Sequence, residues 1–471
     1  MKAVNSANIR DYFNLHSQTS AKWKKRNRYY HKSLERYYKF HIPRGSKVLE
    51  IGCGTGDLLN AVEPSYGTGI DFSEKAIETA SGKYPHLKFI CDDIENLNFE
   101  SVFDYIIISD LFETLLDVQK AIKNITRLCD DKTRIIISNF NYLWEPALKA
   151  GELFGLNSKK PLRNWLSNYD LKNILGIEGF EVIKTERKLL FPKYIPVIST
   201  VLNGFFANLA IIEKLDFVNL LVVRKISRIK KDYSVSIVIP CRNEEGNIEN
   251  ALKRIPEFGT SQEIIFIEGY SKDNTYNEAL RVKQKYQNKN ILVMKQSGKG
   301  KSNAVREAFD ASSGDVLMIL DADLTTPPED LPKFYDALSS GVGEFINGCR
   351  LIYPLEKQAM RFLNSVANKF FGILFSYLLG QKLKDTLCGT KVLLRKDYIS
   401  IKNNRKYFGE FDPFGDFDLL FGASKLDLKI TEIPVRYRSR EYGETQISRF
   451  SHGWLLLKMS LFAAMKIKFI K

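Results

Sequence analysis

A chain of 471 residues exceeds the roughly 250 to 300 residues at which a single hydrophobic core stops growing, so more than one domain is expected. Its 44% hydrophobic and 27% charged residues are ordinary globular values and exclude a largely disordered chain. The formal net charge of +15 indicates an anionic partner, whether nucleic acid, a phospholipid surface or phosphorylated small molecules.

The six cysteines are widely spaced and form no C-x-x-C pair, and the start of the chain lacks the apolar core of a secretory signal. Both features favour a reducing compartment, and we expect a cytoplasmic protein.

The first half of the chain predicts alternating strands and helices. A helical segment rich in aromatic and basic residues, 12–40, comes first. The β-rich runs that follow it are 47–51, 67–70, 87–90, 105–108 and 134–137. Because longer helical patterns separate these runs, we expect βαβ units and a parallel sheet.

A glycine-rich turn follows the first of these strands. Gly52, Gly54 and Gly56 occupy this turn, and glycines there let the backbone approach a ligand beside a helix N-terminus. Asp71 ends the next strand, where a carboxylate suits the two hydroxyls of a ribose. The G-x-G-x-G spacing lacks the extra residue of the dinucleotide fingerprint, which argues against a dinucleotide-binding domain.

The segments V-L-E-I-G-C-G-T-G, G-I-D-F-S and D-D-I-E-N-L-N-F resemble those of class I methyltransferases that use S-adenosylmethionine (SAM), over residues 11–224. The resemblance implies a Rossmann-like domain in which the glycine turn cradles the methionine part of SAM, Asp71 holds the ribose, and Asp93 and Ile94 contact the adenine. The SAM-binding residues that it implies are Glu50, Gly52, Gly54, Gly56, Asp71, Asp93 and Ile94.

Structural explanations stand beside these roles. Glu50 is also suited to cap local backbone, Asp93 to a turn, and Gly56 to close packing of a helix on a strand. The sequence identifies neither a general base nor the methyl acceptor.

Two features separate this half of the chain from the next. The uncharged segment 195–212 carries serine, threonine and asparagine and is of marginal length, so we expect a buried or interfacial helix and not a membrane span. The basic run 222–232 precedes a new strand, and we place the domain boundary there, between domains 1–224 and 233–471.

The second half predicts another α/β domain. Its strands are expected at 234–239, 263–267, 291–294 and 316–320, and its helices at 247–254, 274–286 and 302–311. The strand ends and loops carry the candidate residues for nucleotide-sugar binding: Pro240, Asn243, Glu244, Glu268, Asp273, Lys299 and Asp321. Asp321 and Asp323 form an Asp-x-Asp after a buried strand, and their hard oxygen ligands suit Mg²⁺ or Mn²⁺ bridging two phosphates.

This order of motifs resembles family 2 glycosyltransferases with the GT-A fold, over residues 233–459. The resemblance implies that Glu244 and Glu268 bind the nucleoside, that Lys299 lies near a loop ordered by the nucleotide, and that the Asp-x-Asp holds the metal. Glu268-Gly stands where the family commonly has Asp-Asp, which leaves the base and ribose contacts open.

Segment 411–419 resembles the family's Glu-Asp-x-Asp-Leu region, and Asp416 falls on the position of the general base of inverting members. Alternatively, Asp416 and Asp418 only cap a helix. A phosphate acceptor is already ionised and needs no base.

Segment 433–449 resembles the tail of polyprenyl-phosphate glycosyltransferases such as dolichol-phosphate mannose synthases. Its arginines, Arg440 among them, are expected to hold the donor diphosphate or an acceptor phosphate, with a solvated basic face as the alternative. Two apolar and basic segments, 362–379 and 454–471, suit helices that lie on an anionic membrane, and a core helix is the alternative for the first.

The sequence therefore predicts two enzymes in tandem, a methyltransferase and a glycosyltransferase that acts on a glycan, glycolipid or polyprenyl-phosphate acceptor at the cytosolic membrane face. One alternative is a polyprenyl-phosphate sugar synthase whose methyltransferase domain only binds cofactor or acts on another substrate. The other is a methyltransferase that binds nucleic acid, which the lack of a recognisable nucleic-acid module disfavours.

Overall fold

The computed structural model describes residues 6–154, 160, 162–227, 229–353, 362–407, 416–438, 440, 442 and 449–469. The chain divides into two compact units, Met1–Ile226 together with Lys471, and Ser227–Ile470. Each unit contains one sheet flanked by helices, which confirms the prediction of two α/β domains.

The first unit is built around a sheet with the strand order β3-β2-β1-β4-β5-β7-β6. Its elements are α1 Ser6–Arg26, α2 Arg28–His41, β1 Lys47–Ile51, α3 Asp57–Ala61, β2 Tyr66–Asp71, α4 Glu74–Lys83, β3 Lys88–Cys91, β4 Tyr105–Ser109, α5 Val118–Ile125, β5 Arg134–Phe140, α6 Glu145–Leu153, α7 Asn168–Ile177, β6 Phe180–Lys188, α8 Ile198–Gly204 and β7 Val218–Lys225. Strands β1 to β5 are parallel, as predicted.

The expectation of a wholly parallel sheet is wrong at one edge, where β7 runs antiparallel to both β5 and β6. This strand also takes up the beginning of the basic run 222–232. Val222 and Val223 are fully buried, and buried Arg224 donates from Nε to Glu181 Oε1 at 2.8 Å. An arginine that finds a carboxylate partner is therefore compatible with a buried strand.

The carboxyl ends of β1 and β4 adjoin where the strand order reverses, and ligands of open α/β sheets bind in the crevice outside such ends. Strands buried on both faces are continuous apolar runs. The four-residue stretch 105–108 in β4 follows this rule, since Ile106, Ile107 and Ile108 are buried by helices on the two faces.

The second unit has a sheet with the order β10-β9-β8-β11-β13-β12-β14. Its elements are β8 Val235–Cys241, α9 Ile248–Arg254, β9 Gln262–Glu268, α10 Thr275–Lys285, β10 Asn290–Lys295, α11 Lys301–Ala311, β11 Val316–Ile319, α12 Leu331–Ser339, β12 Phe345–Cys349, α13 Phe362–Leu379, β13 Lys391–Leu394, α14 Arg395–Asn403, α15 Asp416–Lys425, β14 Ile430–Pro434 and α16 Arg449–Ala463. Only β13, among the described strands, runs antiparallel to its neighbours, so this sheet is also mixed.

Helices α13 and α16 each have one buried and one exposed face. Phe371 and Phe375 of α13 pack in the core, and Phe370 and Ile373 are exposed. No helix of the described residues is long and apolar enough to cross a bilayer. The single helix expected over 195–212 is wrong, because α8 ends at Gly204 and short 3₁₀ turns follow it.

Candidate active sites

The turn between β1 and α3 depends on backbone conformations that favour glycine. Gly52, Gly54 and Gly56 have φ values of 75°, 52° and 75°. A Cβ on Gly56 would lie 2.7 Å from Phe89 Cζ, so this glycine permits close packing of the turn on β3. A Cβ on Gly54 would meet nothing within 4 Å, because Gly54 faces open space.

Asp71 is fixed against this turn at the end of β2. Its Oδ2 accepts the N–H of Gly54 at 2.8 Å and its Oδ1 accepts the N–H of Ser73 at 2.9 Å. Burial raises the pKa of Asp71, and the two backbone donors oppose that effect. Backbone donors therefore hold the carboxylate at the crevice.

A cavity of about 610 Å³ opens at the carboxyl ends of β1, β2 and β4. It is lined by five of the predicted SAM-binding residues, Gly52, Gly54, Asp71, Asp93 and Ile94. Asp93 also accepts the N–H of Glu95 at 2.9 Å and so starts the short turn that carries Ile94.

Glu50 and Gly56 are the two predicted SAM-binding residues that do not line this cavity. Buried Glu50 accepts the N–H of Leu59 in the first turn of α3 at 2.9 Å, and burial raises its pKa to about 8. Glu50 thus holds α3 against β1, behind the glycine turn.

The rest of the cavity is formed by residues that sequence reasoning missed. Asp110, directly after β4, has a φ of 52°, which is uncommon for a residue other than glycine. Its Oδ2 accepts the hydroxyl of Tyr30 at 2.5 Å, and its Oδ1 accepts the hydroxyl of Ser138 at 3.0 Å. Burial first, and the charge of Glu113 second, raise the pKa of Asp110 to about 6. Strained residues of this kind cluster at functional sites.

Aromatic rings surround this second half of the cavity. The ring centroid of Phe217 lies 4.9 Å from that of Phe140, 5.4 Å from that of Trp144 and 5.9 Å from that of Tyr30. All four residues line the cavity. His31 also lines it, and burial lowers its pKa to about 4, so the imidazole is neutral at pH 7. No local motif signals these rings, since they come from separate elements.

In the second unit, Asp321 follows β11 and is paired with a lysine. Lys301 Nζ lies 2.6 Å from Asp321 Oδ1. Burial alone raises the pKa of Asp321, but the charges of Lys301, Lys391 and Arg350 outweigh it and hold the pKa below its ordinary value. The carboxylate is therefore ionised at neutral pH.

Asp323 is paired with Arg440, as is Glu244 at the end of the neighbouring strand β8. Arg440 donates from Nη2 to Asp323 Oδ2 at 2.6 Å and from Nη1 to Glu244 Oε1 at 3.2 Å. Asn247 donates to the other Glu244 oxygen at 2.6 Å. Burial first, together with Asp323 and Asp273, raises the pKa of Glu244 to about 7. One guanidinium thus joins two of the predicted site carboxylates.

The remaining predicted residues of this site shape its loops. Glu268 accepts the N–H of Ser271, and Asp273 accepts the N–H of Thr275 at 3.1 Å. Asn243, at a φ of 55°, accepts the N–H of Lys272 at 2.7 Å. The bond from Lys272 to Asn243 connects the loops after β8 and β9, and the other two lie within the loop after β9. Pro240 lies near the end of β8, and Lys299 is exposed in the turn before α11.

The side chain of Asp416, the predicted general base, lies outside the described residues. Residues 411–415 of segment 411–419 and residues 443–448 of segment 433–449 also lie outside them. Asp418, in the first turn of α15, lies within the described residues and is buried. Its Oδ2 lies 2.9 Å from Arg405 Nε and 3.0 Å from Arg306 Nη2. Asp418 is therefore an ion-pair centre that joins α15 to α11.

The surroundings of the Asp-x-Asp carboxylates bear on whether they suit a metal ion. No group of three or more His, Cys, Asp or Glu in the described ranges is placed to hold a metal ion. The two carboxylates of Asp321 and Asp323 are sufficient for Mg²⁺ or Mn²⁺. Such ions often take one or two carboxylates and obtain their other ligands from substrate phosphates and water. Binding there requires Lys301 and Arg440 to release the carboxylates.

Family models match both units. The model "Methyltransferase domain" matches residues 23–185, and the model "Glycosyl transferase family 2" matches residues 236–401. The chain therefore carries a methyltransferase domain followed by a family 2 glycosyltransferase domain, as predicted.

Known proteins resemble parts of the chain. Dolichol-phosphate mannosyltransferase of Pyrococcus furiosus is 39% identical over 109 residues, which are 23% of this chain and 30% of that protein. Undecaprenyl-phosphate 4-deoxy-4-formamido-L-arabinose transferase of Edwardsiella ictaluri is 26% identical over 218 residues, 45% of this chain and 62% of that protein. The chain thus covers less than two thirds of either relative.

Among solved structures, glucosyl-3-phosphoglycerate synthase of Mycobacterium tuberculosis in complex with Mn²⁺, uridine diphosphate and glucosyl-3-phosphoglycerate is 17% identical. The match covers 50% of this chain and 80% of the synthase chain, with a TM-score of 0.37.

Proposed function

We propose that the protein is a bifunctional transferase. The second unit transfers a sugar from a nucleotide-sugar donor to a glycan, glycolipid or polyprenyl phosphate, and the first unit transfers a methyl group from SAM to an acceptor yet to be identified. The observation that carries the sugar-transfer proposal is the pairing of Asp321 and Asp323 with Lys301 and Arg440 at the carboxyl end of β11.

In sugar transfer, Asp321 and Asp323 would hold Mg²⁺ or Mn²⁺, which would supply Lewis-acid assistance to the diphosphate leaving group. Lys301 and Arg440 would lie beside the diphosphate oxygens and bind them, and the planar guanidinium of Arg440 suits two of them at once. Glu244 and Glu268 bind the nucleoside.

The acceptor determines whether a general base is needed. Asp416 takes the proton of an acceptor hydroxyl as it attacks the anomeric carbon, with inversion. A polyprenyl phosphate, which the names of the two relatives favour, is already ionised, and Asp416 then has a binding or structural role.

In methyl transfer, Gly52, Gly54 and Asp71 hold the methionine and ribose parts of SAM, and Asp93 and Ile94 hold the adenine. The acceptor atom forms a bond to the methyl carbon as the carbon–sulfur bond breaks. A hydroxyl or amine acceptor loses a proton in this step, and we assign Asp110 as the group that accepts it. A carboxylate with a pKa near 6 is ionised at pH 7 and more basic than an ordinary aspartate.

We further propose that the protein works in the cytoplasm at the inner membrane face. Trp454, Leu461 and Met465 of the last helical segment are exposed at helical spacing, and Lys458 and Lys466 lie among them. This combination suits the headgroup layer of an anionic bilayer.

The test is a thermal-shift panel of SAM and of nucleotide sugars with and without Mn²⁺, because a ligand that binds only the folded protein stabilises it. We expect a shift with SAM and a Mn²⁺-dependent shift with one class of nucleotide sugar. D321N/D323N should lose the second shift and keep the first, and D71A should do the reverse. Absence of both shifts in the parent protein refutes the proposal.

Two further assays separate the rivals. Sugar transfer to a polyprenyl phosphate without any SAM-dependent product favours a sugar synthase whose methyltransferase domain only binds cofactor. Tight binding of oligonucleotides at moderate salt favours the nucleic-acid reading.

A further inference from the structure

An exposed apolar segment, residues 194–215, lies beside the cavity of the first unit. Its large apolar side chains at the surface are Tyr194, Ile195, Val197, Ile198, Val201, Phe205, Phe206, Ile211 and Leu215. Exposure reaches 73% for Val197 and 82% for Ile211. Soluble proteins seldom expose many large apolar side chains in one segment, and contiguous apolar patches often mark interaction sites.

Polar side chains attach this segment to the rest of the unit, and many of its apolar side chains are exposed to solvent. Two of its polar residues anchor it to the fold: Ser199 is fully buried and donates to the carbonyl of Lys193 at 2.8 Å, and half-buried Asn203 exchanges hydrogen bonds with the backbone of Phe191 at 2.8 Å in both directions. Ile198 and Val201, three residues apart on α8, share the exposed face. The fold therefore uses polar anchors to hold apolar side chains in solvent.

Basic residues lie beside and within this segment. Lys193 directly precedes it and Lys214 lies near its end, and both are exposed. Asn27, at the start of α2, accepts a hydrogen bond from Lys193 at 2.6 Å, which brings Arg26 and Arg28 to the same side. Burial, and then the charge of Arg26, lower the pKa of Lys193. Apolar side chains next to exposed cations match an anionic headgroup layer over acyl chains.

We propose that segment 194–215 docks the first unit on an anionic phospholipid surface. Pro192 and Lys193 line the cavity and directly precede the segment, so docking brings the mouth of the cavity to the lipid. Given the proposed methyl transfer, the methyl acceptor is then a membrane-borne molecule that reaches Asp110 from the bilayer surface.

Hydrogen–deuterium exchange of the full chain tests this locally. Peptides over 194–215 should become protected on phosphatidylcholine/phosphatidylglycerol vesicles and not on pure phosphatidylcholine, and protection should weaken as salt rises. Peptides over α16 provide a separate readout, so membrane contact by that helix does not substitute for this result.

A matched pair of variants sharpens the test. I198E/V201E alters the proposed surface, and Y169E/I177E makes the same change of charge at exposed residues of α7. The first should abolish protection of 194–215 and the second should leave it intact, and both should keep the SAM-induced thermal shift. The proposal is overturned if the segment is already protected without vesicles, stays unprotected on anionic vesicles, or responds equally to both variants. Loss of the SAM shift in the parent protein would instead refute the methyltransferase proposal.

Discussion

Asp110 is a half-buried carboxylate whose protonation bears on both chemistry and stability. Its pKa is raised from 3.8 to about 6, so folding disfavours the ionised form. The resulting penalty is absent at pH values below 3.8, grows as the pH rises, and is complete above pH 6. Between pH 5 and pH 7.5 linkage gives an additional loss of about 1 kcal/mol of unfolding free energy.

Asp110→Asn removes this titration. We expect the difference in melting temperature, variant minus parent, to be more positive at pH 7.5 than at pH 5. Any effect of the substitution that does not depend on pH cancels in this comparison. Tyr30→Phe keeps the carboxylate but removes a hydrogen bond that lowers its pKa, so this variant should show the opposite pH dependence relative to the parent. An equal difference at both pH values would show that Asp110 titrates normally.

Two glycines of the turn after β1 allow binding and packing to be separated. Both have positive φ, so alanine costs about 1 kcal/mol of backbone strain at either. The Cβ of Gly54→Ala would project into open space, where we place SAM, and should lower SAM affinity at least about tenfold with little further loss of stability. The Cβ of Gly56→Ala would lie 2.7 Å from Phe89, which adds about 1 to 3 kcal/mol of overpacking.

Calorimetric SAM titrations and melting curves of the two variants decide this. The expected pattern is weak binding in Gly54→Ala and a low melting temperature in Gly56→Ala. The opposite pattern would move the cofactor away from Gly54.

At the scale of elements, the loop before β13 holds Asp321 in position. A Cβ on Gly389 would lie 2.0 Å from Asp321 Oδ2, so Gly389→Ala must displace that carboxylate. We expect loss of the Mn²⁺-dependent nucleotide-sugar shift and no change in the SAM shift. Gly176→Ala is the control, because a Cβ at this position of α7 would meet nothing within 4 Å. An unchanged Mn²⁺ response in Gly389→Ala would contradict a metal at Asp321.

The sequence predicts the central strands to within a few residues, because buried parallel strands are continuous apolar runs that end in turns. The run 47–51 coincides with β1, and 316–320 overlaps β11. Strands β6 and β7 were missed, since β6 carries Glu181, Lys184 and Glu186 and pairs only through contacts far apart in sequence.

The same limit applies to the sites. Asp71 and Asp323 were predicted because they end strands beside recognisable motifs. Asp110 also follows a strand, but no glycine turn accompanies it. The pairing of Asp323 with Arg440 joins residues 117 positions apart and comes from folding alone.

At the scale of the whole molecule, each unit has its own hydrophobic core. Clusters around Ile106 and Ile107 belong to the first, and clusters around Val238 and Ile237 to the second. A unit with its own core can unfold as a cooperative block, so a single unfolding free energy does not describe such a chain.

We therefore expect two calorimetric transitions with separate ligand responses. SAM at 100 times its dissociation constant stabilises its unit by about 2.7 kcal/mol, which raises one transition by roughly 5 to 10 °C. A nucleotide sugar with Mn²⁺ should raise the other transition and leave the first unchanged. D71A and D323N should each cancel one response, and the double variant should cancel both. If either ligand raised both transitions together, binding in one unit would be coupled to the stability of the other, and the two activities would have to be treated as one linked system.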